Sequence, residues 1–393
     1  VVPRDLDVHY LTPVSYPADD PTCGTITTHY DYHSINDRIV KLDILGHDDP
    51  TMIRMLDNML GEGYCKNIPV GDPDTMELFL STKSIGVSPE DIMTDVATYG
   101  VPECGTRFVR QMISDVKPKN FSDLLRISGY SHGTDVWLNN AQDLIKNGTP
   151  TEDTISTRDD IMNWLINKGM EPSMAFGIME WARKGKAHKQ GFKAEQEEAF
   201  KKANIPEFYI KSCKTLQYLF PKAHAVAYVL SAYRIAYCKV HHPKEFYSAY
   251  FTIRAPKFDF VEVHKGINFM RSFIKNVGQQ GTKASVNDKE TATYMELAVE
   301  MLARGFEFED VDLYRSDAHQ FIVTDKGLLP PLGAIGGIGG VAAENIVKAR
   351  SKGPFISRED LRNRAKISNT AVEVLADLGV LEGLPETDQI ELF

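Results

Sequence analysis

The chain has no uninterrupted apolar run long enough to span a bilayer and opens on no basic, apolar leader, so neither a membrane span nor a secretory signal is expected and the protein reads as cytoplasmic. It is poor in cysteine. Cys23, Cys65, Cys104, Cys213 and Cys238 are odd in number, scattered and without a CxxC pair, which excludes a disulfide framework and a cysteine zinc site and leaves five reduced thiols. It also lacks an overall excess of positive charge. A net charge of -10 argues against a surface coated in nucleic acid, although it leaves a local channel open. What is present is ordinary for a globular protein: 393 residues, 42% hydrophobic and 25% charged, enough for two or three domains with sizeable cores.

The stretch over 214–244, KTLQYLFPKAHAVAYVLSAYRIAYCKVHHPK, organises the rest. Small residues alternate with tyrosines and basic groups between Pro221 and Pro243, which predicts a helix from about Ala223 to about His241. His224, Tyr228 and Ser231 then share one face, with alanines beside them. Two readings stand side by side: close packing against a neighbouring helix, or room for something flat, such as a base pair. Charge bears on the choice. Between Trp181 and Lys244 thirteen lysines and arginines face four glutamates, a basic island interleaved with aromatics that points to a phosphate-bearing partner.

Upstream, the alternation over 39–45 predicts a strand with one wholly apolar face, Lys41 and Asp43 pointing the same way on the other. That pair is either a surface ion pair or, in a catalytic centre, a ligand for a divalent metal and its phosphate. A helix with a methionine and leucine stripe is expected over about 50–63. Arg107 and Arg110, three apart, form either a phosphate clamp or a solvated face. Residues 128–133 read as a Gly-punctuated turn carrying Ser131 and His132, able to hold an anion or simply to cap a helix. Arg158 falls at a helix start, and Arg183, Lys184 and Lys186 surround Gly185 at a helix end, where the dipole favours cations in any protein.

A composition change places a domain boundary near 254–259, followed by helices over about 260–277 and 288–304 and strand-like pieces at 311–315 and 320–323. Asp310 and Asp312 spell a DxD, which is set aside as an exposed strand edge. In LPPLGAIGGIGGVAAENIVKAR, Gly337, Gly339 and Gly340 surround Ile338 and open an amphipathic helix, so that backbone N–H groups approach a phosphate without side-chain obstruction. This spacing resembles the helix-hairpin-helix motif, which grips duplex backbone without reading sequence. The chain ends in DQIELF, with Gln389, Leu392 and Phe393 offering one amide and two apolar anchors suited to a small pocket; this ending resembles the short peptide by which bacterial polymerases dock on the sliding clamp.

Taken in order, KLDILGHDDPT, ISGYSHGTDVW, RKGK, FPKAHAVAYVL, RIAYCKVHHP, the GIGG hairpin and QIELF resemble the C-terminal part of the bacterial PolC-type DNA polymerase III alpha subunit over essentially the whole chain. The resemblance implies an α+β fold, mainly α: the end of a polymerase-β-like palm at 1–49, helical fingers at 50–254, a duplex-binding domain with a small β element at 255–385, its helix-hairpin-helix at about 332–385, and a clamp-binding tail at 386–393. It implies template-directed DNA synthesis. Asp43 matches the third of three carboxylates that hold two Mg²⁺ ions, and Lys41 the basic residue beside it. The family's first two catalytic carboxylates, its exonuclease, zinc-binding cysteines and thumb are not in this sequence, so the two-metal site is incomplete here and the chain alone is expected not to polymerise. In the fingers, Arg158, Arg183, Lys184 and Lys186 are implied to face the incoming dNTP, with Phe220, His224, Tyr228, Ser131 and His132 walling the nascent base pair. Gly337, Ile338, Gly339 and Gly340 are implied to hold primer-template DNA. The alternative is a non-catalytic module that binds DNA and tethers it to the sliding clamp.

Overall fold

The structure is a computed structural model, and it describes every residue except Asp43, Leu45 and 389–393. The chain divides into two units, Val1–His47 and Asp48–Phe393.

The first unit is built from short 3-10 turns and one two-stranded antiparallel ribbon, β1 (Val14–Ser15) against β2 (Thr27–Thr28), in the register Val14 to Thr28 and Ser15 to Thr27. Thr12 and Ile35 are its buried side chains among the described residues. The strand expected over 39–45 is not found among the residues described there: Val40, Lys41, Leu42 and Ile44 adopt no regular structure, and Val40, Leu42 and Ile44 are exposed. Alternation alone does not make a strand, which needs a neighbouring edge to accept its N–H and C=O groups. Asp43 lies outside the described residues, and Lys41 sits with its ammonium 5.1 Å from the centre of the Tyr32 ring.

The second unit is mainly helical. Its helices of eight residues or more are α1 (Asp48–Leu60), α2 (Arg107–Val116), α3 (Phe121–His132), α4 (Arg158–Asn167), α5 (Pro172–Arg183), α6 (Ala194–Lys202), α7 (Glu207–Thr215), α8 (Lys222–His241), α9 (Pro243–Ile253), α10 (Ile267–Gln280), α11 (Val286–Ala303), α12 (Gly340–Arg350), α13 (Arg358–Ala365) and α14 (Asn369–Asp377). A small sheet orders β3 (Glu307–Phe308) beside β5 (Gly327–Leu329) in parallel, and β5 beside β4 (Ile322–Val323) antiparallel. None of the described helices is long and apolar enough to cross a membrane.

Helix α8 is the hub, packing against α1, α3 and α9. Its buried positions Ala225, Val229, Ala232, Tyr233 and Ala236 recur at three- and four-residue steps, and the small side chains let neighbouring helices approach. On that face close packing is therefore the role of the alanines, while His224 and Tyr228 lie half-buried on another. Pro221 is the N-cap of α8, and Pro243 occupies the first turn of α9, where no intrahelical N–H bond is lost.

Near the end of α8 the Lys239 side chain is wholly enclosed. Its ammonium donates to Ala97 O (2.7 Å) and Tyr99 O (2.6 Å) and pairs with Glu300 at 2.8 Å, while Tyr247 Oη donates to the other Glu300 oxygen at 2.7 Å. Burial pushes the Lys239 ammonium down to about 8, against the pull of Glu300. Arg110, too, is neither a phosphate clamp nor a solvated face: it is buried, bonded to Glu296 at 3.2 Å and stacked 4.3 Å from the Tyr99 ring centre.

Aromatic packing runs straight through 254–259, where Phe251 meets Phe258 at 5.4 Å and Phe308 at 5.3 Å, and Phe258 meets Phe321 at 4.9 Å between ring centres. The helix expected over 260–277 is broken at Gly266 into Phe260–His264 and α10. Residues 311–315 form a turn and not a strand, because Asp312 accepts from the backbone N–H groups of Tyr314 and Arg315 (2.8 Å each).

Candidate functional site

Residues 217–221 cross the ends of three helices as an extended strap, and extended backbone must find its hydrogen bonds elsewhere. Just beyond α3, Thr134 N–H donates to Tyr218 O (3.0 Å) and Gln217 N–H donates to Thr134 O (3.2 Å). At the end of α5, Leu219 N–H donates to Arg183 O (3.3 Å), and at the start of α4, Arg158 N–H donates to Phe220 O (3.1 Å). The Asp159 carboxylate accepts from Lys222 N–H at 2.7 Å, which satisfies a donor in the first turn of α8. Gly185 makes the close approach to the strap possible: its φ is +70°, and a Cβ there would lie 2.7 Å from Gln217 O.

The strap and the N-terminal half of α8 carry a row of rings. Tyr218 meets Phe220 at 5.1 Å, Phe220 meets His224 at 5.0 Å, and His224 meets Tyr228 at 4.4 Å between centroids. His132, at the end of α3, closes the row edge-on against Phe220 (5.7 Å) and His224 (5.4 Å). Both His132 ring nitrogens face acceptors, Nδ1 the carbonyl of Ser128 at 2.8 Å and Nε2 the carboxylate of Glu103 at 3.0 Å. Glu103 accordingly raises the His132 pKa above its usual value, against the opposing effect of burial.

The expected turn at 128–133 is helical through His132. Gly129 is there for packing: a Cβ would lie 2.6 Å from Ser156 O. Ser131 Oγ donates back to Ser128 O at 2.9 Å and stands 3.2 Å from His132 Nδ1, so it braces the last turn of α3.

The cations flank this row. Arg183 offers Nε and Nη2 to the two oxygens of Glu180, the second at 2.9 Å, and Lys184 reaches the same carboxylate at 2.9 Å. Led by Arg183, these partners pull the Glu180 carboxyl down to about 2. Lys186 and Lys193 lie 4.9 and 5.1 Å from the Trp181 ring centre. Arg158 is partly exposed, 3.9 Å from Asp159. The structure thus gathers Ser131, His132, Arg158, Arg183, Phe220, His224 and Tyr228 around one strap through bonds and ring contacts, with Lys184 and Lys186 on either side of Gly185. Sequence reading missed Glu180, Glu103 and Asp159. Glu180 was within reach, since it precedes Arg183 and Lys184 by one helical turn; Glu103 and Asp159 act across the fold.

A second arrangement lies at the glycine hairpin. Gly337 adopts φ +91°, Ile338 is buried beneath the turn, and Gly339 is the N-cap of α12 and makes no side-chain cap bond; the His319 ring lies beside the first turn, 3.1 Å from where a Cβ at Gly340 would stand. Gly340 and Val341 are exposed there. Such an end presents backbone donors and a positive dipole to an anion. The tail residues Gln389, Leu392 and Phe393 lie outside the described residues.

Comparison with known proteins bears on both places. Residues 49–205 match the bacterial DNA polymerase III alpha subunit finger domain, and residues 305–389 match the helix-hairpin-helix motif. Across its whole length the chain is 53% identical to the PolC-type DNA polymerase III of Oceanobacillus iheyensis, 51% to that of Bacillus subtilis and 49% to that of Clostridium perfringens. The chain belongs to the PolC-type DNA polymerase III family. It spans 27% of the length of each of these PolC-type relatives. The finger-domain match contains Ser131, His132, Arg158, Arg183, Lys184 and Lys186, whereas Phe220, His224 and Tyr228 lie beyond it. The helix-hairpin-helix match contains the glycine hairpin from Gly337 to Gly340 and the helices α12, α13 and α14.

Proposed function

We propose that this chain is the nucleotide-selecting and duplex-gripping portion of a replicative, cytoplasmic PolC-type DNA polymerase III, with 1–49 the end of its palm, 50–254 its fingers, 255–385 its duplex-binding region and 386–393 its clamp-binding tail. The observation that carries the reading is the gathering, around one strap, of a row of half-buried rings and a set of cations at helix ends, within a chain half-identical to PolC-type polymerases along its whole length. Rings supply a flat apolar wall for a base pair. Arg158, Arg183, Lys184 and Lys186 supply donors for a triphosphate, with Arg able to bond two oxygens at once. Backbone N–H groups at Gly339 and Gly340 suit a duplex phosphate, independent of sequence. The non-catalytic tethering module is less favoured, because it leaves the finger-domain match without a role.

Two Mg²⁺ ions would supply Lewis-acid stabilisation to the transferred phosphoryl group. Asp43, with Lys41 as the basic residue two positions before it, is the residue of this chain that would help hold them; one carboxylate does not make a two-metal cage, so this chain alone is expected not to polymerise. The test is to exchange this chain for the corresponding segment of a full-length PolC-type relative. Asp43→Asn is expected to abolish primer extension while leaving DNA affinity intact, and removing 389–393 to abolish stimulation by the sliding clamp. Full extension by the Asn variant would refute the role of Asp43.

A further inference from the structure

We infer that Glu180 is the internal counter-anion of the phosphate end of this site: a carboxylate that occupies Arg183 and Lys184 until a polyphosphate displaces it. The inference rests on the proposal that these cations face phosphate. Glu180 takes the Nε and Nη2 side of the Arg183 guanidinium and also the Lys184 ammonium, using both its oxygens. A guanidinium has five donors in a planar fork, so its Nη1 end remains for another acceptor.

The backbone beneath these side chains is fixed. Arg183 O accepts from Leu219 N–H at 3.3 Å, and Gly185 is pressed against Gln217. The side chains are not buried: Glu180 is 25%, Arg183 20% and Lys184 49% exposed. Releasing the carboxylate is therefore a rotamer change on one helical turn with no change of fold. Ion pairs one turn apart on a partly exposed helix are weak, whereas charge-assisted bonds to several phosphate oxygens are strong. A di- or triphosphate carries enough charge to win that exchange, and a single phosphate group, free or in a DNA backbone, carries less. Glu180 would thus set a threshold that admits polyphosphate and turns away the monoanionic phosphates of nearby DNA. Its low pKa keeps it ionised throughout the working range.

The test is calorimetric binding of inorganic pyrophosphate, dATP, inorganic phosphate and duplex DNA to the 393-residue chain at low salt, with thermal melts confirming that each variant folds. Glu180→Gln is expected to tighten pyrophosphate and dATP alike, by about fivefold or more once the opposing charge is gone, and to make orthophosphate binding measurable. Equal tightening of the two polyphosphates assigns the effect to the phosphates they share; tightening confined to dATP or to duplex DNA would overturn the inference. Arg183→Ala is expected to weaken both polyphosphates. If Arg183→Ala weakens them but Glu180→Gln leaves them unchanged or weaker, Glu180 is not a counter-anion and the site still stands. If Arg183→Ala changes nothing, the phosphate reading of the site itself fails.

Discussion

Thirteen cations between Trp181 and Lys244 make a basic island when counted along the sequence, and the structure distributes them among different tasks. Lys239 is fully enclosed against Glu300, Lys244 donates to Thr324 O at 2.9 Å, and Arg183 and Lys184 share Glu180, one residue before the counted window begins. A charge count registers neither burial nor a partner just beyond its edge. Histidine offers a sharper residue-scale prediction. Glu103 raises the pKa of His132, whose ring is otherwise faced by Ser128, Ser131, Phe220 and His224. A raised folded-state value means that the ion pair contributes its stability fully below about pH 6.5, the ordinary histidine value, and loses it as pH rises through the folded pKa. Glu103→Gln is expected to return the His132 titration toward the ordinary value, read from its ring resonances by NMR. It should also flatten the decline of stability between neutral and alkaline pH. An unchanged titration would show that Glu103 is not the cause.

Elements with their own internal signals were legible, and those fixed by partners were not. Proline at either end and the small-residue spacing gave α8 to within a residue or so of its bounds, and the glycine hairpin opened α12 where expected. The segment at 128–133 was misread because Gly129 answers to the backbone of Ser156, a contact distant in sequence, and not to a turn. Alternation over 39–45 specifies a face but not a pairing edge, and the residues described there form no strand. The strap at 217–221 has no periodicity at all; what defines it is a set of backbone bonds to Thr134, Arg158 and Arg183. Its stability depends on Gly185. Gly185→Ala is expected to destabilise the fold by about 1–2 kcal/mol from the left-handed backbone alone, and further from the clash with Gln217 O. Chemical denaturation checks this, and unaltered stability would mean that the strap does not hold α5 in place.

At the scale of the molecule, a chain of net charge -10 presents local cations at the ends of α4, α5 and α12. Local fields, and not the total, decide where a polyanion settles. The family was legible because its segments recur in order along the whole chain; the partners that hold each cation were not, because they come from other elements. On the proposed reading, the residues gathered by the strap meet the incoming nucleotide and not the duplex. The direct measurement is the dNTP KM and the primer-template Kd of a full-length PolC-type polymerase carrying this chain with Arg158→Ala. Loss of one charge-assisted phosphate contact is expected to raise KM by about 10- to 100-fold while Kd for DNA stays within about twofold. An unchanged KM, or a loss of DNA affinity by the same factor, would contradict it.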